Sequence, residues 1–281
     1  MKKILAVFRK FNYYGSVNNS LDLLLNLDNS KYDITIVFLK RKANELNSRY
    51  IGLLEKKKID FFFLDEIPFC NYRIIQKIPK VFKEFFIKKN WINFFKKKNS
   101  FDYYYLNDHL TDYKYIIKEL KIDKIIFHIH YSKNLFNFNK EIIDRYKNAK
   151  FNLVNNNLLK NDLIKLGVFE NKIHHINIAI DNNHWCFEEK NYQSFRKKNS
   201  VNSDQLIIGG SGSISSRKGT DIFFEVFKLV KKNNLENKVL FFWLGGLSDA
   251  KADKTENEIK RKIKYSKFSI LLKKQMINNK I

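Results

Sequence analysis

Of 281 residues only two are cysteine and two proline, and glycine contributes nine. Cys70 and Cys186 stand alone, without CxxC spacing. That argues against a disulfide framework or a cysteine-based zinc module, and both read as free thiols. Acid is scarce: 29 Asp+Glu face 53 Lys+Arg, a formal charge of +24. Within the basic set, 8 are Arg and 45 are Lys. No Asp-x-Asp pair occurs anywhere. Long apolar runs are missing too, since nothing approaches the ~20 residues of a membrane span. After Met1-Lys2-Lys3 only five apolar residues, Ile4 to Phe8, precede Arg9. That is short for a signal-peptide core, so a cytoplasmic location is expected. Scarce Arg, spread charge and the lack of an RNP, zinc-finger or helix-turn-helix signature argue against nucleic-acid binding. A charge of +24 with 15% aromatic residues keeps that class as an alternative.

The chain does hold enough apolar residues for a core, 44% of the total. Lys, 34 Asn and 26 Phe together suggest an AT-rich coding sequence, so part of the charge is background on solvated faces. Short apolar runs at Ile4–Phe8, Ile34–Leu39, Phe61–Leu64, Phe101–Leu106, Lys124–Ile129, Phe151–Val154 and His174–Ile180 read as strands. Helices are expected at Gly15–Leu27, Ala43–Lys57 and Tyr113–Leu120. Such alternation predicts βαβ units and a parallel sheet. Residues 181–204 are polar and irregular, which places a boundary between domains 1–184 and 185–281. Strand Leu206–Gly209, helix Arg217–Lys232 and strand Lys238–Leu244 then restart the pattern. In that helix Ile222, Val226, Leu229 and Val230 form an apolar stripe expected to face the core.

Six of the nine glycines, from Gly209 to Gly246, fall at the ends of the last two of these strands. Ligands bind at the carboxyl ends of strands in open α/β sheets, and missing side chains let backbone come close. The segment Leu206-Ile-Ile-Gly-Gly-Ser-Gly-Ser-Ile-Ser-Ser-Arg-Lys-Gly-Thr-Asp221 runs from strand through a Gly/Ser loop into a helix. Free N–H groups and the positive end of a helix dipole favour an anion there. Arg217 can grip phosphate oxygens in pairs and Lys218 adds a mobile charge, with Gly212 and Gly219 expected to let backbone approach. The string is neither a Walker A motif nor a full dinucleotide fingerprint, because the third position is Ser215.

Gly212-Ser-Ile-Ser-Ser-Arg-Lys-Gly-Thr-Asp-Ile-Phe-Phe-Glu-Val-Phe-Lys resembles the donor-binding segment of GT-B glycosyltransferases of the group 1, retaining type. Leu153-Val-Asn-Asn-Asn, Leu163-Ile-Lys-Leu-Gly-Val-Phe-Glu-Asn-Lys-Ile and His175-Ile-Asn-Ile-Ala-Ile-Asp181 are similar to the family's stretch leading to its interdomain linker. The resemblance covers about residues 120–247 well. It implies two Rossmann-like domains facing each other across a cleft, an acceptor side first and a nucleotide-sugar (donor) side second. It implies that Arg217 and Lys218 neutralise the departing diphosphate, aided by Gly212 and by Gly15 after the first strand. It implies His130, beside the reacting sugar, as the catalytic candidate. No metal and no cofactor are expected, only the nucleotide-sugar as substrate. His128 and His130 lie two apart on a strand and share a face. No third ligand suggests zinc, and a structural role for both stays open.

The resemblance stops near Gly246. The family's Glu-seven residues-Glu motif has no counterpart after it, since Glu256 and Glu258 are two apart. The second domain is therefore expected to be incomplete. The function implied is sugar transfer to a glycan or lipid-linked acceptor in cell-envelope polysaccharide synthesis. The alternatives are a chain inactive alone, a non-catalytic remnant, or a subunit completed by a second chain. Residues 71–100 carry nine basic residues against Glu84, interleaved with aromatics. As a helix, Val81, Phe85 and Ile92 would line a stripe with Phe82 and Phe95 beside it. Lys88, Lys89, Trp91, Lys96 and Lys97 are expected to face an anionic membrane surface. The basic tail of the last 31 residues is expected to be a loose helix or frayed.

Overall fold

The computed structural model describes residues 1–11, 15–40, 48–66, 79–97, 100–108, 114–130, 140–178, 186–235, 237–244 and 269–271. Cys70, Ala43, Tyr113, Val81's side chain, Ile180, Asp181, Gly245, Gly246 and most of the basic tail lie outside them. Contacts divide the chain into two compact units, Met1–Trp185 and Cys186–Ile281.

The first unit carries seven strands: β1 (Lys2–Phe8), β2 (Tyr32–Phe38), β3 (Asp60–Phe63), β4 (Tyr103–Asn107), β5 (Ile125–Ile129), β6 (Phe151–Val154) and β7 (Ile173–His175). They form one sheet in the order β3-β2-β1-β4-β5-β6-β7, and every pairing is parallel. Side chains alternate across a strand, so β1 feeds two cores. Leu5 and Val7 join one with Val37, Leu106 and Phe127. Ile4, Ala6 and Phe8 join the other with Ile36 and Phe38. Strands buried on both faces explain the short unbroken apolar runs in the sequence.

Helices α1 (Gly15–Leu25), α2 (Ser48–Lys56), α3 (Lys80–Lys97), α4 (Lys114–Glu119), α5 (Lys140–Asn148) and α6 (Asn157–Lys165) cross between strands. In α3 the buried face is Ile87 and Trp91, with Phe94 and Phe95 packed against it. Trp91 is fully buried and its ring lies 5.4 Å from that of Phe95. This corrects its expected place on a membrane face: the widest apolar side chain of the helix fills the core. Of the expected stripe, Phe95 alone among the described side chains packs against the core. Phe82, Phe85 and Ile92 are exposed, beside exposed Lys88, Lys89, Lys96 and Lys97.

The second unit opens with α7 (Glu189–Lys198), inside the stretch read as irregular. Its order comes from one buried side chain. Arg196 donates to the Tyr192 hydroxyl at 2.7 Å and to the carbonyls of Gln205, at 3.0 Å, and Asn202. A buried guanidinium satisfied by carbonyls ties the helix to the next strand. Then come β8 (Leu206–Ser211), α8 (Thr220–Lys232), β9 (Val239–Leu244) and β10 (Ser269–Leu271), in the parallel order β10-β9-β8. The short strand β10 replaces part of the frayed tail expected from sequence.

The core of this unit is Ile214, Phe224, Phe227, Phe241 and Trp243, with Phe223 and Val230 packed on it. Of the expected core stripe on α8, only Val230 packs inward. Ile222 is 67% exposed and Leu229 59%, and Val226 is exposed as well. Phe223, Phe224 and Phe227 displaced that stripe because they bury more apolar surface against the sheet.

Candidate functional site

In the first sheet the strand order reverses between β1 and β4. Ligands in doubly wound sheets bind at such a point, beyond the carboxyl ends of the strands. Five polar side chains converge there. α1 supplies Ser20, which is fully buried among Val17, Leu21 and Leu24 of its own helix. The strand β4 supplies Tyr105 and Asn107. His128 comes from β5, and His130 follows its last residue. Register sets Asn107 directly beside His128. Because residues two apart share a face, Tyr105 joins Asn107, and His130 joins His128.

The Ser20 hydroxyl donates to Asn107 Oδ1 at 2.9 Å and lies 3.1 Å from His128 Nδ1. His130 Nε2 is 2.7 Å from the same Asn107 oxygen and 3.2 Å from Ser20 Oγ. The Tyr105 hydroxyl lies against His128 Nδ1. The two imidazoles pack with centroids 4.0 Å apart. His128 Nε2 is buried and has no hydrogen-bond partner among the described residues.

Burial sets the electrostatics. It pushes His128 down to about 3, with the His130 charge opposing a second proton. It pushes His130 down to about 4, against a contrary pull from Asp108. Burial raises the Tyr105 phenol, which stays protonated. At neutral pH the cluster is therefore uncharged. Its histidines can position and accept hydrogen bonds, and neither is poised to donate a proton as an acid. No group of three His, Cys, Asp or Glu side chains that could hold a metal ion occurs among the described residues.

Gly15 is the first residue of α1 and is exposed. A Cβ there would meet nothing within 4 Å, so no close approach within the protein demands glycine.

The second unit presents a loop at the end of β8. Gly212 N–H donates to the Leu244 carbonyl at 2.9 Å, and the Gly212 carbonyl accepts from Trp243 Nε1 at 3.0 Å. Gly210 has Trp243 ring carbons 2.5 Å from where a Cβ would sit, so the ring occupies the space of the missing side chain. Ser216–Lys218 then form a turn of 3-10 helix, and Gly219 adopts φ +71° before α8 begins at Thr220. The expected continuous helix from Arg217 is thus broken. Gly219 serves by its left-handed backbone, not by close packing, because a Cβ there meets nothing within 4 Å. Gly212 has φ +134°, and the Lys218 stem folds over it, 3.3 Å from a would-be Cβ.

Arg217 and Lys218 are both exposed, and neither makes an ion pair among the described residues. Asp221 already complements the dipole in the first turn of α8. Attraction for an anion at this loop therefore rests on the two basic side chains. The structure thus brings Arg217, Lys218 and Gly212 to one loop, and sets His130 in a buried cluster of the first unit. Sequence reasoning missed Ser20, Tyr105 and Asn107. The available signal was a polar residue inside an apolar strand, as in Tyr-Leu-Asn107 and Ile-Phe-His128-Ile.

No protein-family model and no curated protein sequence matches the chain. Solved structures do. HepE from Anabaena, in complex with UDP and glucose, is similar at a TM-score of 0.69 with 13% identity, over 97% of this chain and 69% of that one. WaaG, a glycosyltransferase involved in lipopolysaccharide biosynthesis, is similar at 0.59 with 10% identity, over 96% and 70%. A protein described as a UDP-N-acetylglucosamine 2-epimerase from Listeria monocytogenes is similar at 0.55 with 12% identity, over 97% and 68%. At such identities likeness speaks for architecture alone. In architecture the chain has a fold of the GT-B kind, with two Rossmann-like α/β units.

Proposed function

We propose that this chain binds a nucleotide-sugar and serves in transfer of its sugar to a glycan or lipid-linked acceptor of the cell envelope. The observation that carries this reading is the loop from Gly212 to Gly219. Two cations without carboxylate partners among the described residues sit at the end of β8, where an open α/β sheet binds ligands. Their role is to hold the diphosphate and take up its leaving-group charge. His130 is assigned to the sugar. The structural relatives HepE and WaaG support the class of reaction, and the UDP in the HepE complex supports the nucleotide.

The second sheet supports a further element of the proposal. Its order β10-β9-β8 repeats the β3-β2-β1 half of the first sheet. There β4 pairs with the other edge of β1, whereas β8 has no second neighbour among the described residues. Exposed Ile222, Val226 and Leu229 on α8 leave an apolar face unused. We assign that edge and face to a second chain that completes the donor side.

The test is titration of UDP and UDP-glucose into the purified chain, followed by amide NMR. The expected result is millimolar affinity, with shifts at Gly209–Gly219. Removing both cations, as Arg217→Ala with Lys218→Ala, should weaken binding about ten- to a hundredfold, given ~1.5–3 kcal/mol for a charged hydrogen bond. Absence of shifts in the loop overturns the donor assignment. Micromolar affinity or turnover by the chain alone overturns the need for a second chain. Conversion of UDP-N-acetylglucosamine to its 2-epimer would replace transfer with epimerisation.

Localisation is part of the same proposal. No helix among the described residues is long and apolar enough to cross a membrane. The outer face of α3 instead offers Phe82 and Phe85 among Lys88, Lys89, Lys96 and Lys97. Each basic residue near an anionic surface contributes ~1 kcal/mol, so the face suits reversible docking. In liposome flotation the chain should rise with vesicles rich in phosphatidylglycerol and not with neutral ones. Replacing the four lysines by Glu should abolish that, and equal flotation of the variant would refute it.

A further inference from the structure

We propose that Asn107, backed by Ser20, is a positioning residue that keeps the single imidazole proton of His130 on Nε2 and leaves Nδ1 as a bare acceptor. The proposal rests on the assignment of His130 above but concerns a property of the free protein.

The chain of donors and acceptors runs one way. The amide oxygen of Asn107 can only accept. It takes the Ser20 hydroxyl proton at 2.9 Å and faces His130 Nε2 at 2.7 Å. The hydrogen in the second contact must then belong to the imidazole. A neutral imidazole has one N–H, so Nδ1 carries a lone pair. Nδ1 makes no hydrogen bond among the described residues, and the ring is only partly buried. The lone pair is therefore free for a hydroxyl-bearing ligand, which a sugar is.

Ser20 has a second effect. The Tyr105 hydroxyl lies against His128 Nδ1, so the one hydrogen of Ser20 goes to Asn107, which favours the amide oxygen over its NH2 on the side of the histidine. A helix residue fully buried beside two strands thus decides how a side chain at the strand end presents itself. Groups that face His130 and bear on its protonation are His128 and Tyr105 from the cluster and Asp108 beside it. None of them contacts Nε2 as Asn107 does.

The experiment is 15N NMR of the histidine rings in the full chain, without ligand, from pH 8 to pH 5. Wild type should show His130 in the Nε2–H form throughout. Asn107→Leu, close in volume, should give a mixture of both forms. Asn107→Asp should restore the Nε2–H form and raise the pH at which the ring gains its second proton. Ser20→Ala should shift the balance part of the way. A wild-type ring with its proton on Nδ1 would overturn the proposal, and this needs no variant to fold. So would an Asn107→Leu spectrum like that of wild type. UDP-glucose binding is measured separately, so loss of the donor reading leaves the tautomer result standing, and the reverse holds.

Discussion

Stability of the first unit is expected to fall by several kcal/mol as the pH drops from 6.5 to about 4. His128 and His130 titrate near 6.5 in the unfolded chain but are held down to about 3 and about 4 when folded. The unfolded state therefore takes up protons first as the solution is acidified. Stability from these groups is complete above pH 6.5. It is lost as pH falls through that value, and levels off only below the folded values. Each pKa unit corresponds to about 1.4 kcal/mol, so even a fraction of the two shifts is large against a typical total of ~5–15 kcal/mol. Surface carboxylates that are also lowered, Asp28, Asp102, Glu141 and Glu170, act near and below their ordinary values of 3.8 to 4.5. The window from 6.5 to 4.5 thus reports on the histidines. Denaturant titrations at half-unit pH steps would measure it. Changing both histidines to Gln should flatten the curve in that window. A wild-type curve already flat there, or an unchanged slope in the variant, would contradict the assignment.

Trp91→Ala should cost ~3–5 kcal/mol, the range for removing a large buried aromatic ring. The ring is fully enclosed and stacks on Phe94 and Phe95. Its Nε1 has no hydrogen-bond partner among the described residues, so the loss is one of packing and cavity. Changing any one of Lys88, Lys89, Lys96 or Lys97 on the opposite side should stay within ~0.5 kcal/mol. The contrast separates core from surface on one helix. A Trp91 variant as stable as the lysine variants would return that residue to the outside.

The strands of the first sheet could be read from sequence because both their faces are buried. Runs such as Ile4–Phe8 and Ile34–Leu39 have no polar face to blur them. Helices were harder for the opposite reason. Both α3 and α8 carry apolar residues on two faces. Periodicity finds a stripe in each but does not say which stripe meets the sheet. In α8 the choice fell to Phe223, Phe224 and Phe227, and in α3 to Ile87 and Trp91. The helix Glu189–Lys198 was invisible because a buried Arg, not an apolar stripe, holds it. At the site, Arg217 and Lys218 were legible as a local string. The partnership of Ser20, Asn107 and His130 was not, because it joins Ser20 to residues 87 and 110 positions away and Asn107 to His130 across 23.

The edge of β8 that has no neighbour among the described residues bears on how this chain behaves at high concentration. Leu206-Ile-Ile-Gly-Gly-Ser211 contains no charge and no proline, and Leu206 is exposed. An unpaired strand of that composition is a template for self-association. A net charge of +24 opposes it, since chains of like charge repel one another at long range. Salt weakens that repulsion over ~8–10 Å at physiological strength. The abundant lysine that looked like compositional background therefore has a colloidal role. It keeps an open sheet from pairing with its own copies, and raising the ionic strength removes that protection.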